Sequence, residues 1–145
     1  MSAELLVAGF LHVAREDLQG ARLLASARNR NTIDLCERAA EKIIRAVLAS
    51  ERIPGRISRQ LDELVDAIPD DNPIKSSLRG IEHIAAGARS QRDPRACGRF
   101  EAPPQALELQ DAIDKVAAAL TEVAERFGVD LDHADTPARR PGPIR

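Results

Sequence analysis

The sequence predicts an all-α, single-domain protein, an up-and-down helical bundle of about five helices. Three observations lead there. Apolar residues recur at the 3.6-residue period over five segments, and the breaks between segments carry helix stop and start signals. The apolar residues are Leu, Ile, Val and Ala, with 3 Phe and no Trp or Tyr, a set suited to close helix packing rather than to sheet. At 145 residues one core suffices, burying roughly 68–70% of the unfolded chain's surface.

The first helix is expected from Glu4 to about Ala27, with Leu6, Phe10, Val13, Ala14, Ala21, Leu24 and Ala25 inward and Arg15, Glu16, Asp17 and Arg22 elsewhere. Arg28-Asn29-Arg30-Asn31 breaks it, and Asn31 is placed to cap a second helix with Asp34 in its first turn. That helix runs to about Arg52, its inner stripe being Cys36, Ala40, Ile43 and Val47. Glu41 and Arg45 form an i,i+4 pair on its polar side, in the favourable Glu-first order.

Pro54-Gly55 ends the segment. Ser58 then caps a short third helix whose Leu61, Leu64, Val65 and Ile68 face inward, and Pro69 closes it. Asn72 as N-cap and Pro73 at the first helical position start a fourth helix carrying Ile74, Leu78, Ile81, Ala85 and Ala88 on one face. Residues 90–103 lack periodicity and form the longest connection. The fifth helix, from about Pro104 to Phe127, spaces Leu109, Ile113, Val116, Leu120, Val123 and Phe127 as a heptad seam that stops at Gly128. Such a seam packs inside its own bundle or against a second copy. The bundle thus spans 1–128, and 129–145, with Pro137, Pro141, Gly142 and Pro143, is expected to be a disordered tail.

A formal charge of −2 gives no global argument for nucleic acid or membrane. Met1–Leu11 has no basic leader and is interrupted by Glu4, and nowhere do 18 apolar residues run together, so no membrane partner and a cytoplasmic location are expected. Cys36 and Cys97 lack metal-ligand spacing. No phosphate-cradling Gly motif, nucleophile elbow or Cys/His cluster occurs, so neither metal nor cofactor is expected. Asp70-Asp71-Asn72 reads as a helix start.

Arginine outnumbers lysine 18 to 3. Arg89, Arg92, Arg95 and Arg99 crowd the long connection, and Arg56 and Arg59 follow Arg52 around another turn. Guanidinium groups so placed either pair with nearby carboxylates on a solvated loop or neutralise phosphates and acidic partners. Without Trp or Tyr there is no stacking platform, so nucleic-acid contact would be backbone-led and salt-sensitive.

The segments Ala14-Arg15-Glu16-Asp17-Leu18, with Ala21 and Leu23-Leu24, and Cys36-Glu37-Arg38-Ala39-Ala40-Glu41-Lys42-Ile43-Ile44-Arg45-Ala46-Val47-Leu48 resemble the HEPN domain family. The likeness continues through Ser58-Arg59-Gln60-Leu61-Asp62-Glu63-Leu64 and through Gln91-Arg92-Asp93-Pro94, covering about residues 4–125. It implies a helical, often dimeric bundle. It also implies one of three activities: metal-independent ribonuclease, nucleotide or RNA binding, or pairing with a nucleotidyltransferase in a toxin–antitoxin-like system. The chain departs from the family where many members carry a His-Asp pair, here Arg59-Gln60, and where they carry a Tyr before the Pro, here Asp93.

The ribonuclease members carry an Arg, four to six residues, then a His. Metal-free RNA cleavage needs a base for the 2′-hydroxyl and a cation on the phosphate, roles that His and Arg fill when they converge. Arg126 and His133 have the family spacing but straddle Gly128. Arg79 and His83 are one residue short, yet i,i+4 spacing would set both on one helix face, opposite the apolar stripe. His12 has no Arg upstream of it and reads as a surface or packed side chain. Phosphate binding, a ribonuclease and a purely structural homodimeric module are the three readings open at this stage.

Overall fold

A computed structural model of the chain describes residues 2–54, 58, 60–84, 88, 93–94, 96–99 and 102–140. Among these, five helices and no strand make the expected all-α bundle: α1 (Ala3–Ser26), α2 (Asn31–Ser50), α3 (Leu61–Asp66), α4 (Lys75–Arg79) and α5 (Ala106–Phe127). None is long and apolar enough to cross a membrane.

Ser2 caps α1, its Oγ accepting from Leu5 N at 3.2 Å. The buried face is Val7, Ala8, Leu11, Ala14, Leu18 and Ala21, which corrects the expected stripe: Leu6 is 39% and Val13 42% exposed. The N-terminal half of α1 is apolar nearly all round, so the 3.6 period admits two stripes, and packing against α2 selects the other one. Arg28, at φ 49°, closes the helix in a Schellman turn, with Asn29 N bonded to Leu24 O and Arg28 N to Ala25 O. The next helix begins under Asn29 rather than Asn31. Asn29 Oδ1 accepts from Asn31 N at 2.9 Å, and Asn29 O accepts from the buried Thr32 hydroxyl at 2.7 Å.

The α1 and α2 helices are antiparallel, as the contacts of Asp17 with Lys42 and of Gly20 with Leu35 require. Alanines floor this interface: Ala14, Ala21, Ala39 and Ala46 are fully buried. The α5 helix lies across both. Its seam, Leu109 to Phe127, is at most 5% exposed, so the chain's own core occupies it and no second copy is needed there. The Glu41–Arg45 pair forms at 3.3 Å, and Arg45 also donates to Ser58 O at 3.3 Å.

Ser58 stands two residues before the N-cap of α3. It accepts from Gln60 N at 3.0 Å and donates to Glu63. Leu61, Leu64, Val65 and Ile68 are buried as expected. The fourth helix is far shorter than its pattern suggests. Asn72 Oδ1 accepts from Ile74 N and its Nδ2 donates to Glu51 Oε1, both at 3.0 Å, but α4 ends at Arg79 and passes into turns over 80–83, after which Ile84 and Ala88 are again helical. Gly80 lowers helix propensity there. The inward residues Ile74, Leu78, Ile81, Ile84 and Ala88 are nonetheless buried. Ala85 lies outside the described residues.

The expected disordered tail is docked over residues 129–140; residues 141–145 are outside the described set. Gly128, at φ 62°, ends α5 in a Schellman turn: Val129 N bonds Ala124 O and Gly128 N bonds Glu125 O. The chain then returns along α1. Arg15 donates to Leu131 O and, at 2.8 Å, to Asp132 Oδ1. Ala138 N reaches Glu4 O at 3.0 Å, and Arg139 N reaches Phe127 O, a helix-terminal carbonyl, at 2.6 Å. A Cβ at Gly128 would collide with the Arg139 guanidinium. Gly128→Ala is therefore expected to cost about 1–2 kcal/mol, from left-handed backbone strain plus this collision, measurable as a lower urea midpoint at unchanged slope.

Candidate functional site

In neither Arg/His pair expected from spacing does the structure show a hydrogen bond between the two members. Arg79 ends α4, hydrogen-bonded to Asp66 and, at 2.9 Å, to Glu82, which raises its pKa above the usual arginine value. His83 lies in the turn beyond and is exposed, so the helix that would have set the two on one face stops first. His133 Nδ1 sits 2.7 Å from Asp130 Oδ2, with the ring 74% exposed. Asp130 is held below the usual carboxylate range by the Asp132 amide and then by His133. Arg126 Nε is buried and without a partner among the described residues. The Schellman turn at Gly128 separates this pair.

Of the six arginines expected to contact phosphate, Arg99 is described and exposed. Arg56, Arg59, Arg89, Arg92 and Arg95 lie outside the described residues.

A different basic group gathers where the N-terminus of α1, the C-termini of α2 and α5 and the returning tail meet. Arg52, Arg139 and Arg140 line a cavity of about 210 Å³ with Glu4, Glu51 and Ser50, over Val7, Phe127 and Ala138. Arg140 Nε donates to Glu4 Oε1 at 2.8 Å. This bond, then the residue's own amide, holds the Glu4 carboxyl below its ordinary range. Glu51 is engaged by Asn72. Arg52 lies near enough to Glu4 to help lower its carboxyl, but neither the Arg52 nor the Arg139 side chain forms a salt bridge or hydrogen bond among the described residues. Three guanidiniums against two engaged carboxylates leave the cavity net positive.

The carbonyls at the nearby helix ends do not account for these cations, because backbone amides satisfy them. Arg52 N bonds Ala49 O and Ile53 N bonds Leu48 O, while Arg139 N bonds Phe127 O. Arg52 holds φ 59°, a left-handed position where glycine is unstrained and other residues cost about 1 kcal/mol. Sequence reading placed Arg52 beside a basic turn but missed Arg139 and Arg140, which stand in a polar, Pro-containing stretch with no periodicity. The signal that places them is long-range: two backbone bonds onto α1 and α5.

Among the described residues no group of three or more His, Cys, Asp or Glu side chains is placed to hold a metal ion. Burial pushes the Cys36 thiol up to about 11, against a small opposing effect of Arg22, while Cys97 is exposed. Compared with family models, with curated proteins and with solved structures, the chain finds no match in any of the three.

Two outcomes are expected. A thiol reagent at pH 8 labels Cys97 and spares Cys36 until the protein is unfolded, a ratio read by intact mass. Because Glu4 has a depressed folded pKa, its bond to Arg140 contributes fully above the unfolded value and is lost as pH falls through the folded one. The protection factor of the Ala138 amide, which rests on Glu4 O, should therefore fall as pH drops through the depressed range of Glu4, as followed by NMR exchange referenced to intrinsic rates.

Proposed function

We propose that this chain is a HEPN-like, non-catalytic binder of the phosphate groups of a nucleotide or RNA, acting as a homodimer and engaging phosphate at the bundle end through Arg52 and Arg139. The observation that carries this is two guanidinium groups on one cavity rim, neither in a salt bridge or side-chain hydrogen bond among the described residues. Arginine forks suit phosphate oxygens in charge and geometry.

The left-handed backbone of Arg52 has a structural cause, since Arg52 ends α2 in the same Schellman turn by which Arg28 ends α1, and it is the side chain that bears on binding. The two segments that resemble the HEPN family meet through the Asp17–Lys42 ion pair at 2.9 Å. The resemblance implies nucleotide or RNA as ligand and a nucleotidyltransferase as partner protein. A ribonuclease is not the reading favoured, since Arg79 is bonded to Glu82 and His133 to Asp130, neither to the other member of its pair.

The test is binding of a labelled single-stranded RNA, with ATP as competitor, in EDTA at two salt concentrations. Affinity is expected to fall steeply with salt, with the salt slope reduced by about one unit per arginine removed in Arg52→Gly and Arg139→Ala, and the RNA should stay intact. Arg52→Gly should at the same time be more stable to urea, by about 0.5–1 kcal/mol. Arg28→Gly relieves a similar left-handed strain and should leave binding unchanged. Unaltered affinity in the double variant, or metal-free loss of the RNA, would overturn the proposal.

A further inference from the structure

The solvent side of α1 is apolar where an amphipathic helix should be polar. Leu5 is 50%, Leu6 39% and Val13 42% exposed, and with Gly9 and Phe10 they line a groove of about 640 Å³ bordered by Lys42 and residues 134–136. His12 Nε2, in the same groove, is buried without a hydrogen-bond partner among the described residues. We infer that this face binds a second copy of the chain, α1 crossing α1 antiparallel at Gly9; the inference rests on the homodimer reading above and assigns its surface.

The argument for a second copy is self-complementarity. With each residue advancing about 100°, Ser2, Leu5, Gly9, Val13 and Glu16 fall within about 40° of one direction. In shape this row is symmetric about Gly9: a small residue at the centre, a branched apolar residue four positions to each side. In charge it is opposed. Ser2 caps the positive pole of α1, and Glu16 is exposed, with no ion pair or hydrogen bond among the described residues.

A two-fold antiparallel crossing on Gly9 sets Leu5 against the partner's Val13 and Glu16 over the N-terminus of the partner's α1, where a carboxylate is favourable. A Cβ at Gly9 would meet nothing within 4 Å, so the protomer does not need glycine there. A close helix crossing does. The neighbouring Lys42 is already paired with Asp17 and brings no uncompensated charge to the contact. A standard interface buries roughly 800 Å² per partner. One helix face with its groove wall supplies less, so micromolar association is expected.

The test is sedimentation velocity from about 5 to 200 µM, bracketing that affinity, on wild type and on Leu5→Glu/Val13→Glu, whose exposed side chains leave the protomer core intact. The expected result is a wild-type dimer and a monomeric variant with unchanged helicity. Glu16→Lys should weaken the dimer about tenfold. On a Cys97→Ser background, Gly9→Cys should cross-link under mild oxidation, while Leu23→Cys, 74% exposed but beyond the paired stretch, should not. A wild-type monomer throughout would overturn both this surface and the homodimer reading. A dimer that survives Leu5→Glu/Val13→Glu would overturn the surface alone, and absence of the Gly9→Cys cross-link would overturn the crossing at Gly9.

Discussion

The alanine-floored contact of α1 on α2 is the constraint on which the rest of the molecule depends. With Ala14, Ala21, Ala39 and Ala46 fully buried, the two backbones can approach closely, and Leu, Ile and Val fill the remaining core at interior density without large aromatic rings. The half-buried Asp17–Lys42 pair pins the register: a slip by one turn would leave both charges without partners in a partly desolvated setting, a costly arrangement. On this hairpin α5 finds a continuous apolar surface for its whole seam.

The register also builds the cavity. Antiparallel packing brings the start of α1 and the end of α2 to one level, and α5, antiparallel to α1, ends there as well. Three helix termini at one end present backbone groups that need partners, and the returning tail supplies some of them through Ala138 and Arg139. Docking the tail carries Arg139 and Arg140 to the side of Arg52. The basic rim is thus a consequence of satisfying backbone hydrogen bonds, and the side chains of Arg52 and Arg139 stand on it without a salt bridge among the described residues.

The α1 helix serves two surfaces. Its inner stripe is consumed by α2 and α5, and its outer stripe, in the N-terminal half alone, stays apolar at Leu5, Leu6 and Val13. The heptad seam of α5 has the stronger periodicity but is fully used inside the chain, so regular spacing is a poorer guide to association than residual exposure. An apolar run on all sides of a helix leaves an outer face that the chain's own core does not cover, as at Leu5, Leu6 and Val13.

Local chemistry was enough to read the all-α class, the inward residues of α2, α3 and α5, and the stop at Gly128, because period, capping residues and a left-handed glycine act within a few residues of themselves. Three features were not legible in the local pattern. The stripe of α1 that is buried was decided by α2, since both candidates satisfy the helical period. The break of α4 after Arg79 was not legible in the apolar stripe, since Ile81, Ile84 and Ala88 stay buried across it and Ile84 and Ala88 are again helical. The tail, polar and Pro-containing, was ordered by carbonyls of Glu4 and Phe127 more than 10 residues away in sequence, a partnership no local pattern encodes, and with it came the arginines of the candidate site.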